Sequence, residues 1–424
     1  MPFRLVTLLC CLVLSAPSPA AEVTYYEYPF VDPLEATVIG TPGIYRADLP
    51  EDIPVEIRQV HPFPGRAVPE IFWYAKTLRF AFSPQSGPAP LVFIVPGTGA
   101  NYNSTKSLIL QQMLYAAGLH VVSLPSPIHP NFIVAASTSR RPGLLDEDAG
   151  DLYRVMALIR RQLEGEIEIR GYDLAGYSLG ATHAAFVARL DDQRGTFGFE
   201  RVLLINPPVD VLRAARVLDR LFAEHIRSLA DFNHLFNQLM LLFTQFYQPT
   251  EQVVFSDELV YEIYKRQPPP DSTLEALIGI AFRLTSINLL FTSDVMANLG
   301  VLVARDHRLA LTDSLTPYFK AASLLDFDYY ARQVLYPYYL ATAPAISFDE
   351  LARRNSLWAI ADYLREAGKI GLMHNEDDIL LNESDLDFLQ EVFGARAQIY
   401  PKGGHVGNLQ FRDNAAYVID FFSD

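Results

Sequence analysis

The sequence predicts an α/β protein with a mostly parallel, doubly wound sheet and a helical block inserted late in the chain. Three observations carry this. Short apolar runs alternate with helix-patterned segments along most of the chain. The alternation stops between about Val209 and Ala345, where helical spacing dominates. It then resumes for the last eighty or so residues.

The chain has 424 residues, half of them hydrophobic, which is ample for a large core. Lys and Arg total 34 against 49 Asp and Glu, for a net charge of -15. With no basic tract, nucleic acid is excluded as an expected partner. The start reads as an export signal: "MPFR" carries a positive charge, "LVTLLCCLVLSA" is an apolar stretch too short to span a bilayer, and "PSPA" offers small residues for cleavage near Ala20 or Ala21. Cys10 and Cys11 both fall inside it, so the mature chain has no thiolate, disulfide or cysteine metal site. The expected organisation is a signal peptide over 1–21, a first core part over 22–208, a helical cap over 209–345 and a second core part over 346–424.

The segment "TYYEYPFVDPLEATVIGTPGIY" reads as extended and aromatic. "VEIRQVHPF" and "IFWYAKTLRFAF" alternate like half-buried strands. "LVFIV", Leu91–Val95, is a continuous apolar run and reads as a buried strand, followed by the loop "PGTGANYNS". Helix "TKSLILQQMLYAAG", strand "LHVVSLPSP" and the amphipathic helix "LLDEDAGDLYRVMALIRRQLEG" come next. In that helix Asp146, Glu147 and Asp148 lie early and Arg160 and Arg161 late, matching the helix dipole. Strand "IEIRGYDLAGYS", helix "LGATHAAFVARL" and strand "RVLLINPP" complete the first part. The block holds "VLRAARVLDRLFAEHIRSLADF", "HLFNQLMLLFTQFY" and "LEALIGIAFRLTSINLLF"; Arg283 and Asp294 interrupt the longest apolar run, against a stable membrane span. The last part reads helix "NSLWAIADYLREAG", strand "KIGLMHN", helix "ESDLDFLQEVFG", strand "AQIYPKGG" and helix "NAAYVIDFF".

Within this frame, Ser178 sits between Gly176 and Gly180 where a strand meets a helix. A serine pushed out of a sheet by a tight turn needs small neighbours two residues on either side, because strand and helix then pass closely. The helix start adds the Leu179 amide, aimed where an oxyanion develops. A serine hydroxyl needs a base to become nucleophilic, and histidine suits that task with a carboxylate holding its tautomer. His405, in the glycine-flanked loop "YPKGGHVGNL", has the setting for it. His374 reads as a core or rim residue and His183 as packing. No HExxH or similar spacing indicates a metal, and the loop "GTGANYNS" lacks a P-loop lysine.

These segments together resemble the α/β-hydrolase superfamily, in its serine-hydrolase branch, over about Val55–Pro208 and Asn355–Phe421. The resemblance implies Ser178 as nucleophile, His405 as base and an acid in "IGLMHNEDDILL". There the family's usual spacing favours Asp378 over Asp377, although Ile379 follows in place of the common proline and keeps both in play. It also implies that "VPGTGA" is the oxyanion loop, with Pro96 where histidine is frequent and the Thr98 amide as second donor. The block would then be a cap, and its aromatic stripes (Leu239–Tyr247, then Tyr329, Tyr330, Tyr336, Tyr338 and Tyr339) would in part line an apolar acyl pocket. The expected function is an exported serine esterase acting on a small acyl substrate without a cofactor. Peptidase or acyltransferase chemistry on the same triad is the alternative, and a non-catalytic binding protein a more remote one. The oligomeric state is left open.

Overall fold

The computed structural model describes residues 21–22, 26–226, 231, 261, 264–266, 268–341 and 343–423. The expected export segment and the block segment "HLFNQLMLLFTQFY" lie outside the described residues.

The first half contains β1 (Ala21–Glu22), α1 (Pro33–Ile39), β2 (Glu56–Val60), β3 (Leu78–Ser83), β4 (Ala89–Val95), α2 (Thr105–Ala116), β5 (His120–Ser123), α3 (Pro130–Ala135) and α4 (Leu145–Leu163). Then come β6 (Ile169–Tyr177), α5 (Leu179–Arg194), β7 (Arg201–Ile205), α6 (Val211–His225) and α7 (Asp271–Ala297). Short helical pieces fill much of 316–366, before β8 (Ile370–Asn375), α8 (Glu383–Phe393), β9 (Ala397–Tyr400) and α9 (Arg412–Ser423).

Among the described residues the strands form one nine-stranded sheet in the order β1-β9-β8-β7-β6-β4-β5-β3-β2. Pairings from β1 through β5 are parallel, and β3 is antiparallel to both its neighbours. This is the mostly parallel, doubly wound sheet that the alternation predicts. Successive side chains on a strand point to opposite faces. Accordingly Leu91, Phe93, Val95, Leu174, Val202, Leu204 and Leu372 feed one core, while Val92, Ile94, Ala175, Leu203, Ile205 and Met373 feed the other. Both faces are dry, which is why "LVFIV" reads as a continuous apolar run.

Two local readings need correction. "TYYEYPFVDPLEATVIGTPGIY" is not extended throughout: Pro33–Ile39 is helical. Asp32 caps it, its carboxylate accepting from the Leu34 and Glu35 amides at 2.7 and 3.2 Å, with Pro33 preset at the first position. "IFWYAKTLRFAF" is not one strand either. After Pro69, residues Glu70–Ala75 form tight helical turns, and the strand begins at Leu78.

Between β7 and β8, α6 and α7 pack so closely that a Cβ on Gly279 would stand 2.3 Å from the Phe222 amide nitrogen. Arg283 and Asp294 of α7 are buried and hydrogen-bonded. Arg283 bonds Asp219 of α6 at 2.9 Å and the Ser323 and Leu325 carbonyls, and Asp294 accepts from the amides of Val301, Leu302 and Val303 at 2.8–2.9 Å. Among the described residues α7 is the one helix long and apolar enough to cross a membrane, and half of its most apolar stretch is buried in this fold. Five tyrosines of the stripe, Tyr329, Tyr330, Tyr336, Tyr338 and Tyr339, do not line the cavity under α6 and α7. Tyr330 instead packs inward with its hydroxyl on the Pro142 carbonyl, and Tyr338 reaches Glu147. Their amphipathic rings serve packing with a polar tip. Leu239–Tyr247 lie outside the described residues.

Candidate functional site

The C-terminal ends of adjacent parallel strands carry every candidate residue. Gly97–Ala100 follows β4, Ser178 follows β6, Asn206 follows β7, Asp378 follows β8 and His405 follows β9. This edge is where open α/β sheets present their ligands.

The glycines at the turn are enforced by backbone, not by neighbouring side chains. A Cβ on Gly176 would lie 2.3 Å from the Gly180 carbonyl oxygen. One on Gly180 would lie 2.1 Å from the Val95 carbonyl oxygen and 2.4 Å from that of Pro96. Ser178 itself has φ 56 and ψ -133, a region costly for any L-residue. It is pinned there by its amide, which donates to the Ile205 carbonyl at 2.8 Å. Buried Ala181, Ala184 and Ala185 keep α5 slim against the sheet.

Ser178 Oγ lies 2.8 Å from His405 Nε2, and His405 Nδ1 lies 2.9 and 3.1 Å from the two Asp378 oxygens. Asp378, not Asp377, is therefore the acid in contact with His405. It is buried, and its remaining capacity is filled by Asn206 Nδ2 at 2.8 Å and the Leu380 amide at 3.0 Å. Burial works against its ionisation, but the His405 interactions, His374 and the Leu380 amide outweigh it and hold the carboxyl below its usual range. Asp377 has a separate task. Its oxygens accept from the Gly403 and Gly404 amides at 3.1 and 2.9 Å, shaping the loop that presents His405, and burial pushes its carboxyl up. The same loop is seated on α1. The His405 amide donates to Thr37 Oγ1 at 2.8 Å, and a Cβ on Gly404 or Gly407 would meet the Pro33 or Ala36 carbonyl at 2.3 or 2.0 Å.

The Thr98 and Leu179 amides have no acceptor among the described residues, and both residues border the cavity at Ser178. The cavity holds about 420 Å³. Its far walls come from α6 (Val211, Ala214, Leu218) and α7 (Ile278, Ala281, Phe282), an apolar chamber opening on Ser178.

Asn206 and the Asp148–His183 pair escape a reading of sequence, whereas His374 is the core residue it reads as. Asn206, a non-glycine residue at φ 46, steadies Asp378. His374 is fully buried, accepting from the Asn375 amide at 2.9 Å and facing the Pro207 carbonyl at 3.2 Å; burial pushes its pKa down. His183 is buried too but borders the cavity, its Nε2 3.3 Å from Asp148 Oδ2. Asp148, which by position alone serves the α4 dipole, is buried beside it, and burial raises its pKa. Only the helix periodicity of α4 could have flagged Asp148, since it falls on the buried face.

The parallel sheet, the strained serine turn and the Ser, Asp, His order along the chain are those of the α/β-hydrolase fold, which this chain has. No family model and no curated protein sequence matches the chain. Among solved structures it is similar to a hyperthermophilic esterase from Pyrobaculum calidifontis, at 16% identity over 92% of this chain and 87% of that one, with a TM-score of 0.43. It is also similar to a thermostable esterase from Pseudomonas putida, at 13% identity over 90% and 84%, TM-score 0.43. A thioesterase domain from the curacin biosynthetic pathway aligns at 14% identity over 88% and 100%, TM-score 0.38.

The contacts of the two acids generate a ranking. Asp378→Asn presents an amide to His405 and favours the wrong tautomer, as in the serine triad generally, where the change costs about 10⁴-fold in kcat. Asp377→Asn disturbs only the loop and is expected to cost far less. Steady-state kinetics on both purified variants checks this, and the reverse ranking refutes the assignment.

Proposed function

We propose that the protein is a serine hydrolase cleaving apolar acyl esters through an acyl-serine intermediate. The observation that carries this reading is the continuous hydrogen-bonded line Ser178–His405–Asp378 opening into an apolar chamber. Ser178 Oγ attacks the ester carbonyl and passes its proton to His405 Nε2. The carbonyl oxygen, now an anion, accepts from the Thr98 and Leu179 amides. The bond to the leaving alcohol breaks as His405 returns the proton to that oxygen. Water then gives a proton to His405, attacks the acyl-serine and releases the acid and Ser178. Asp378 stays ionised throughout, stabilising the imidazolium, as its low pKa allows.

The test is labelling with a fluorophosphonate. Wild type is expected to label and Ser178→Ala is not, with a loss of at least about 10³-fold in turnover of an ester that wild type cleaves. Labelling that persists in Ser178→Ala overturns the reading.

In the same proposal, residues 209–345 act as a cap and the acyl chain lies under α6 and α7. Each buried methylene contributes about 0.8 kcal/mol, so kcat/KM on p-nitrophenyl esters should rise a few-fold per carbon until the chamber fills. A flat series, or peptide amides outrunning every ester, replaces esterase with another acyl-transfer activity.

Export is likewise proposed, from the charged start, apolar stretch and small residues of the first 21 positions. Mass spectrometry of the protein from its native cells is expected to find an N-terminus at about Ala21 or Glu22. An intact Met1 in the cytoplasm refutes it.

A further inference from the structure

A second cavity of about 150 Å³ adjoins the catalytic one. Thr105, Lys106 and Val406 border both, so the two spaces share a wall. The charge lining the smaller space is opposite to that of the whole chain. Among the described residues its borders include Lys106 and no carboxylate, in a protein of net charge -15. Lys106 is also the one Lys or Arg bordering the catalytic cavity among the described residues.

Lys106 is partly buried, and no hydrogen bond or ion pair is made by its ammonium among the described residues. Burial pushes its pKa down to about 8, opposed only by the charge of Asp378. A cation withdrawn from water without a counter-charge is costly, and a bound anion removes that cost. One feature adds to the positive potential. Lys106 stands in the first turn of α2, a twelve-residue helix whose Ser104 leaves the helix amides without a side-chain cap, because its hydroxyl accepts from the Asn101 amide at 2.8 Å.

The position of the space in the reaction follows from His405. Its Nε2 must deliver a proton to the leaving oxygen, so the leaving group departs on the His405 side. Val406 and Gly407, directly after His405, form part of the smaller cavity's wall. The apolar chamber is walled by α6 and α7, and no residue of either helix borders the smaller cavity. We propose that the smaller cavity is the leaving-group subsite and that Lys106 recognises a carboxylate on the alcohol half of the substrate ester. This rests on Ser178 being the nucleophile, and it assigns the substrate class as an apolar acyl chain esterified to a hydroxy acid. Hydrolysis would release the fatty acid and the hydroxy acid, with water as the only other reactant.

Three butyrate esters test it: of butan-1-ol, of 4-hydroxybutanoate and of 4-aminobutan-1-ol. For wild type at neutral pH, kcat/KM on the carboxylate ester is expected to exceed that on the neutral one by about tenfold or more, the scale of a hydrogen bond to a charged group. The ammonium ester is expected to fall below both. In Lys106→Met the carboxylate-to-neutral ratio is expected to drop to about one, and Lys106→Arg is expected to retain most of it. Fluorophosphonate labelling reports in each variant that the site is assembled, and Lys106→Gln replaces Lys106→Met if the latter does not label. A wild-type ratio near one, or a ratio that survives loss of the Lys106 charge, overturns the inference and leaves the hydrolase reading intact. Wild type that does not label removes the hydrolase reading, and this inference with it.

Discussion

The structure depends on one steric constraint: the backbone of α5 lies directly against the ends of β4 and β6. At Gly180 the carbonyl of Val95 occupies the space a side chain would need, and at Gly176 the carbonyl of Gly180 does the same. Only that approach turns the chain sharply enough to lift Ser178 out of the sheet at φ 56. Such a conformation costs on the order of 1–3 kcal/mol and persists only where surroundings over-determine it. Here the Ser178 amide bond to Ile205, the alanine face of α5 and two dry sheet faces supply that determination.

The other half of the site is held by similar means from the opposite end of the chain. The loop carrying His405 lies on α1, with backbone contacts at Gly404 and Gly407 and the Thr37 hydroxyl on the His405 amide. Adjacent carboxylates divide the work beneath it. Asp377 binds loop amides and Asp378 binds the imidazole, so two chemically identical neighbours differ only in which way the strand end aims them. Asn206 and His374 then complete a buried polar cluster around Asp378.

Charge is arranged unevenly around this frame. The chamber under α6 and α7 is nearly apolar, with the Asp148–His183 pair bordering the cavity. Among the described residues, the one lysine bordering the catalytic cavity also borders a recess without a carboxylate. An acidic exterior and a cationic recess are compatible because salt screens exposed charges beyond about a Debye length, so the potential in the recess is set mainly by the groups that line it. The net charge of the chain therefore says little about the charge a ligand must carry.

The sequence by itself determined what depends on near neighbours along the chain. Alternating strand and helix patterns specify the parallel sheet. Gly176, Ser178 and Gly180 specify the turn, because the steric demand spans only five residues. Even α1 was legible in Asp32, Pro33 and Glu35, though the surrounding aromatics masked it. Tertiary structure alone decided which of Asp377 and Asp378 meets His405, since adjacent residues at a strand end point in opposite directions and a one-residue register decides between them. It also decided that Tyr330 packs inward while Ala214, Ile278 and Phe282 line the chamber, and that Lys106 makes no ion pair among the described residues. Those outcomes depend on which surfaces of distant segments meet, and burial and ion pairing are properties of that meeting, not of local composition.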